Sequence, residues 1–231
     1  MLLKSNVTAF SLPSDEWNTE RLAKFTSSEI HSLMGEKGIG VGGYSYIYRK
    51  VGEELSGRPA KDDVLTAATA HGNEYELEGL KLFCERKEVP LFDGKYPIIQ
   101  RLVTNGERFG STPDGIWVLN ESEDGLSYNV RTIEMKCPYS FDGYIKLWKC
   151  KTPVEVKKVE PKYYWQILDQ MVVCDCLQGF LGVYQPFFKV GQLNIVEFRK
   201  IDLVPDFKLL IERKNQAVEI FNQVRSELMN S

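Results

Sequence analysis

Thr112-Pro113-Asp114-Gly115-Ile116-Trp117-Val118-Leu119, followed after a polar interval by Val130-Arg131-Thr132-Ile133-Glu134-Met135-Lys136, is the stretch whose reading decides the fold. Pro-Asp-Gly is a turn signature, and the apolar run behind it reads as a strand. The second β-type run closes on an acid and a lysine two positions apart. Successive strand side chains point to opposite faces, so Glu134 and Lys136 share one face and Met135 turns to the other. If the two strands pair, the carboxylates of Asp114 and Glu134 converge with the Lys136 ammonium beside them. Two hard oxygen ligands suit Mg²⁺, which binds through one or two carboxylates and keeps several waters. A lysine beside them can orient or help deprotonate an attacking water. The chemistry implied is hydrolysis of a phosphodiester.

An acid-x-Lys triplet carries little information alone. The chain also contains Glu85-Arg86-Lys87, Glu155-Val156-Lys157, Glu160-Pro161-Lys162 and Glu212-Arg213-Lys214. Those four lie in charged or helix-like surroundings, where a solvated face explains them. Only 134–136 follows a β-type stretch and has an aspartate on a turn upstream.

The 231 residues are expected to form a single domain, 1–231, with enough sequence for a substantial core. A composition of 43% hydrophobic and 26% charged residues is that of a globular protein. No apolar run approaches a membrane span, and Lys4, Ser5, Asn6 and Thr8 interrupt any signal-peptide pattern, so a cytoplasmic location and no membrane partner are expected. The net charge of −3 and pI of about 5.6 argue against a general polycationic coat for nucleic acid. A local basic groove on an acidic body remains compatible with DNA. Lysines gather between 146 and 162, where a solvated loop is expected. The five cysteines, an odd and irregularly spaced set, fit reduced cytosolic thiols. Cys174-Asp175-Cys176 has no second Cys/His pair at finger-like spacing, which argues against structural zinc.

Along the chain, residues 26–34 predict a capped helix start, with Thr26 and Glu29 at capping-box spacing. The segment 35–43 carries Gly38, Gly40 and Gly43 in a G-x-G-x-x-G pattern, but with a helix rather than a strand before it; a mobile loop is expected, not a dinucleotide site. Residues 62–87 read as a helix. The runs 97–103, 116–119 and 130–135 read as strands, 163–174 as a buried helix, 180–184 and 193–198 as strands, and 205–229 as an amphipathic helix. This order predicts a sheet covered by helices, α/β or α+β.

Several blocks together resemble the λ-type phage exonucleases, the YqaJ-like viral recombinase branch of the PD-(D/E)xK nuclease superfamily. Trp17 with Arg21, then Thr26-Ser27-Ser28-Glu29, resembles the family's N-terminal block. Gly72-Asn73-Glu74-Tyr75-Glu76 resembles its Gly-x-x-Tyr-Glu helix motif. Thr112-Pro113-Asp114-Gly115 is similar to Ser-Pro-Asp-Gly, Glu134-Met135-Lys136-Cys137-Pro138 to Glu-Leu-Lys-Cys-Pro, and Tyr163-Tyr164-Trp165-Gln166 to Tyr-x-x-Gln. Two departures stand out: His71 takes the place of a tryptophan, and Thr112 that of a serine.

The resemblance implies an α/β, restriction-endonuclease-like core, a central mixed β-sheet flanked by α-helices. It implies a catalytic centre of Glu76, Asp114, Glu134, Lys136 and Gln166. Asp114, Glu134, Glu76 and the main-chain carbonyl of Met135 would be the metal ligands for Mg²⁺ (Mn²⁺ substituting), with two ions per site. Arg21, Ser28 and Thr112 would hold a terminal 5′-phosphate. The implied activity is 5′→3′ exonuclease action on double-stranded DNA, leaving 3′ overhangs, by a homotrimer working with a single-strand annealing protein. The alternatives are another nuclease of the superfamily, Cas4-like or restriction-type, and a catalytically inert DNA-binding module of the same fold. The lack of a four-cysteine cluster disfavours the iron–sulfur versions.

Overall fold

The computed structural model describes residues 19–60, 66–89, 103–105, 108–121 and 128–231. Trp17, the first residues of the 62–87 helix and most of the 97–103 run lie outside them. Four strands form a mixed sheet: β4 (Gly115–Glu121), β5 (Tyr128–Lys136), β6 (Gln178–Tyr184) and β7 (Leu193–Arg199), in that spatial order. β4 and β5 pair antiparallel, β5 and β6 parallel, and β6 and β7 antiparallel. A smaller sheet places β3 (Phe109–Ser111) between β1 (Phe25–Thr26) and β2 (Val103–Asn105).

Alternation along the strands builds two cores. Val130, Leu181, Val183, Val196 and Phe198 face one layer; Ile133, Met135, Phe180, Tyr184 and Leu193 face the other. The first face is covered by α5 (Pro161–Val173), backed by α1 (Val41–Ser56) and α6 (Val204–Met229). The second is covered by α2 (Ala67–Lys87). The expected architecture, a mixed sheet flanked by helices, is the one observed.

Close approach of α2 depends on two glycines. A Cβ on Gly79 would lie 2.9 Å from the Tyr184 Cβ and 3.0 Å from the Met135 sulfur, and one on Gly182 would lie 2.4 Å from the Met135 methyl. The Met135 side chain therefore fills the space these glycines leave. That packing sets how far Glu76, one turn before Gly79, stands from the end of β5.

Three local expectations are corrected. Thr26 belongs to β1, and the short 3₁₀ turn Ile30–Leu33 has no side-chain cap; Glu29 instead pairs with Arg49 at 2.8 Å. The glycine-rich segment does not remain a loop: Gly40 takes an extended conformation and starts α1 at Val41, so Gly43 is helical. The lysine-bearing segment is helical too, as α3 (Phe141–Trp148), α4 (Pro153–Val159) and the start of α5. Ser140 caps α3, and Thr152 with Glu155 forms a complete capping box on α4.

Candidate active site

β4 begins where β5 is about to end, with Gly115 paired to Ile133. Asp114, the residue before β4, accepts the Met135 N–H on Oδ2 at 2.6 Å. The two motifs are thereby joined through one backbone–side-chain bond. A residue's N–H and C=O point to the same side of a strand, so the Met135 carbonyl also faces the Asp114 side. Continued by two places, the register sets Met135 opposite Pro113. Proline has no N–H to give, so the ladder cannot claim that carbonyl.

Glu134 is 2% exposed and its carboxylate is held from three directions. Lys136 Nζ and Gln166 Nε2 donate to Oε1, and Gln170 Nε2 donates to Oε2. Gln166 and Gln170 stand one turn apart on α5, so they share a face. Gln170 was not read from sequence; its spacing from Gln166 was the available signal. Lys136 also lies 5.2 Å from the centre of the Tyr163 ring. Burial alone would lower its pKa, but the Glu134 and Asp114 carboxylates outweigh that and hold the ammonium above its ordinary value.

One cavity of about 400 Å³ gathers these groups. Its lining includes Glu76, Asp114, Glu134, Gln166 and Gln170 together with Arg21, Thr26, Ser27, Ser28, Ser111 and Thr112. Every sequence-predicted side chain of the centre except Lys136 is thus on its wall, and Lys136 reaches it through Glu134. The lining combines carboxylates with a guanidinium and hydroxyls. Asn73, one turn before Glu76 on α2, and Ser111 were not singled out in sequence. The buried Ser111 Oγ and Gln170 Oε1 have no hydrogen-bond partner among the described residues.

The hydroxyl side is fixed from behind. Tyr46 of α1 accepts the Thr26 N–H at 2.7 Å, and Glu53 accepts the Ala23 N–H at 3.0 Å. Ser27 Oγ donates to Asp169 at 2.7 Å, and the other Asp169 oxygen pairs with Lys214 of α6. Asp169 and Lys214 are fully or nearly fully buried, so α5, α6 and the 25–28 segment share one internal ion pair. No local sequence pattern links residues 45 positions apart, which is why this support was not legible.

The carboxylate side suits a divalent cation. Burial, then the charges of Glu134 and Glu76, push Asp114 well above the ordinary carboxylate value, offset in part by Lys136 and the Met135 N–H. Carboxylates that repel one another in this way are relieved by a bound cation, and oxygen-only donors are those Mg²⁺ takes. Among the described residues no three His, Cys, Asp or Glu side chains are gathered so that they alone could hold a metal ion.

Comparison with known proteins follows the same line. The family model of the YqaJ-like viral recombinase domain matches residues 16–177. Comparison with curated protein sequences gives no match. An alkaline exonuclease from Laribacter hongkongensis (LHK-Exo) superposes with a TM-score of 0.65 at 18% identity, over 94% of this chain and 99% of its own. Its complex with dAMP gives 0.65 at 17%, with the same coverage. A phage-related exonuclease from Haemophilus somnus 129PT gives 0.62 at 16%, over 89% and 96%. At these identities the likeness is one of fold, the restriction-endonuclease-like type.

Proposed function

The chain belongs to the YqaJ-like viral recombinase family, and on that premise we propose that it is a Mg²⁺-dependent 5′→3′ exonuclease on double-stranded DNA, leaving 3′ single-stranded overhangs for phage-type recombination. The observation that carries this reading is the single cavity whose lining joins Arg21, Ser28 and Thr112 to Glu76, Asp114 and Glu134. Arg21 offers a bidentate fork and the two hydroxyls donate, which together fit a terminal 5′-phosphate. Asp114, Glu134 and the Met135 carbonyl would hold the cation, and Glu76 would support a second. A bound Mg²⁺ supplies charge neutralisation at the scissile phosphate and a water of lowered pKa. Lys136 holds a positive charge beside the reacting phosphate and orients the water. Gln166 and Gln170 fix the Glu134 carboxylate so that this geometry is set before substrate arrives.

Linear duplex labelled at either end, with or without 5′-phosphate, tests the reading in Mg²⁺ and in EDTA. Release of the 5′ label first, from phosphorylated ends and only with Mg²⁺, is expected. Release of the 3′ label first would overturn the polarity, and equal rates on 5′-hydroxyl ends would remove the phosphate pocket. Lys136→Ala should slow single-turnover cleavage by about 10²–10³-fold, the size of one lost transition-state contact, while DNA binding persists.

The overhang is the material a single-strand annealing protein would take up, and the reaction belongs in the cytoplasm. A body of net charge −3 must confine its attraction for DNA. A homotrimeric ring with basic residues lining its channel does so and hinders escape between cuts. Light scattering should give about three chains per particle at micromolar concentration, with processive digestion. A stable monomer producing a distributive ladder would overturn the ring and leave the chemistry standing.

A further inference from the structure

Four aromatic side chains stand together where β5 and β6 run out beside α2. His71 lies 4.8 Å from Tyr75, 5.6 Å from Tyr139 and 6.0 Å from Phe187, ring centre to ring centre, and Tyr75 lies 5.6 Å from Phe187. His71 and Tyr75, four apart on α2, share a face. Gln185 donates to the Pro138 carbonyl at 3.1 Å, which ties the chain beyond β6 to the chain beyond β5 and so fixes Phe187 near Tyr139. Inside the cluster His71 is 8% exposed, and its Nε2 has no partner among the described residues. On the outside Tyr139 and Phe187 are 62% and 61% exposed. Large exposed rings beside a buried, unpartnered ring nitrogen are not explained by packing of the chain on itself.

The place and chemistry of the cluster identify its occupant. Tyr75 immediately precedes Glu76, and Tyr139 is three residues beyond Lys136, so the rings border the carboxylates. Asn73 and Glu76 of the same helix line the cavity together with Arg21. His71 and Tyr75 instead face Tyr139 and Phe187. All four members are flat aromatic groups, as a nucleobase requires and an aliphatic docking helix does not. Glu74 and Glu78 flank Tyr75 on α2, and Glu78 accepts from Tyr184 at 2.5 Å; carboxylates beside the rings disfavour a phosphate there, so a base rather than the backbone fits.

We propose that Tyr139 and Phe187, backed by His71 and Tyr75, form a stacking platform for an unpaired base of the DNA strand being degraded. The proposal rests on the nuclease reading above. It adds to that reading a means of holding a nucleotide out of the duplex next to the site of cleavage.

The test uses a 5′-phosphorylated duplex with a short non-complementary end and 2-aminopurine placed singly at each of the first four positions. Binding is followed in Ca²⁺ under conditions where the strand stays intact, and cleavage of the same DNA is followed in Mg²⁺. Wild-type protein should quench 2-aminopurine at one or two positions. Tyr139→Ala with Phe187→Ala should abolish the quench and weaken binding about tenfold, roughly the loss of one stacked base. Phe187→Leu should lose the quench while keeping apolar bulk, and Tyr139→Phe should keep it. Quench and affinity unchanged in the double variant would overturn the platform. So would a fall in particle mass by light scattering without loss of quench, which would assign the rings to contact with a second copy. Cleavage without any quench sinks the platform alone. Quench without cleavage by the wild type sinks the nuclease reading and leaves the platform.

Discussion

Replacing Pro113 by alanine returns an N–H to the residue that faces the Met135 carbonyl. β4 can then lengthen by a rung and take that carbonyl into the ladder. A new hydrogen bond contributes about 1 kcal/mol, and loss of the proline's rigidity costs about 0.4–1 kcal/mol, so the unfolding midpoint should hardly move. Mg²⁺ affinity and cleavage should fall together, as calorimetry and single-turnover rates can show; unchanged affinity would remove the carbonyl from the ligand set. At this scale the sequence was most legible where chemistry and local geometry coincide. Asp114, Glu134 and Lys136 follow from a turn and a strand, whereas Gln170 and Ser111 are brought to the cavity only by folding.

Gly79 shows how one helix carries the Glu76 carboxylate to the sheet. Gly79→Ala drives a Cβ against the Tyr184 backbone-proximal carbon, which cannot swing aside. Overpacking costs about 1–3 kcal/mol, against about 1 kcal/mol gained in helix propensity. Urea unfolding should therefore show a small loss, while cleavage falls disproportionately because Glu76 rides on the displaced turn. A wild-type rate in a shifted helix would show that Glu76 is not needed at its present distance. Elements with clean periodicity, α5, α6 and the strands β5 to β7, were readable from sequence. α1 was not, because its buried face carries the ion pair Lys50–Glu53 at 2.8 Å while Val41, Tyr44, Tyr48 and Leu55 face outward. The pair shares that face with Tyr46, Ile47 and Val51, so polar and apolar residues mix on both faces and blur the pattern by which helices are recognised. α3 and α4 were hidden by their lysines, although Ser140 and the Thr152/Glu155 pair were visible cap signals.

Across the whole molecule, the cavity draws on residues 21–28, 73–76, 110–114, 134 and 166–170, no two of these segments adjacent in the chain. None of them can form its part of the wall alone: β1 is two residues long, and Ser27 is held by an aspartate on α5 that is itself held by a lysine on α6. Occupancy and global folding are for that reason thermodynamically linked. A ligand binding only the assembled wall adds RT ln(1 + [L]/Kd), about 2.7 kcal/mol at a hundredfold excess over Kd, to the stability of every contributing segment at once. Mg²⁺ with a 5′-phosphorylated oligonucleotide should raise the melting temperature as a single transition and slow amide exchange in α2, α5 and the 25–28 segment in parallel. Protection confined to β4 and β5 would mean that the wall is already assembled without its guest. With all segments responding together, the substrate acts as the last tertiary contact of the fold.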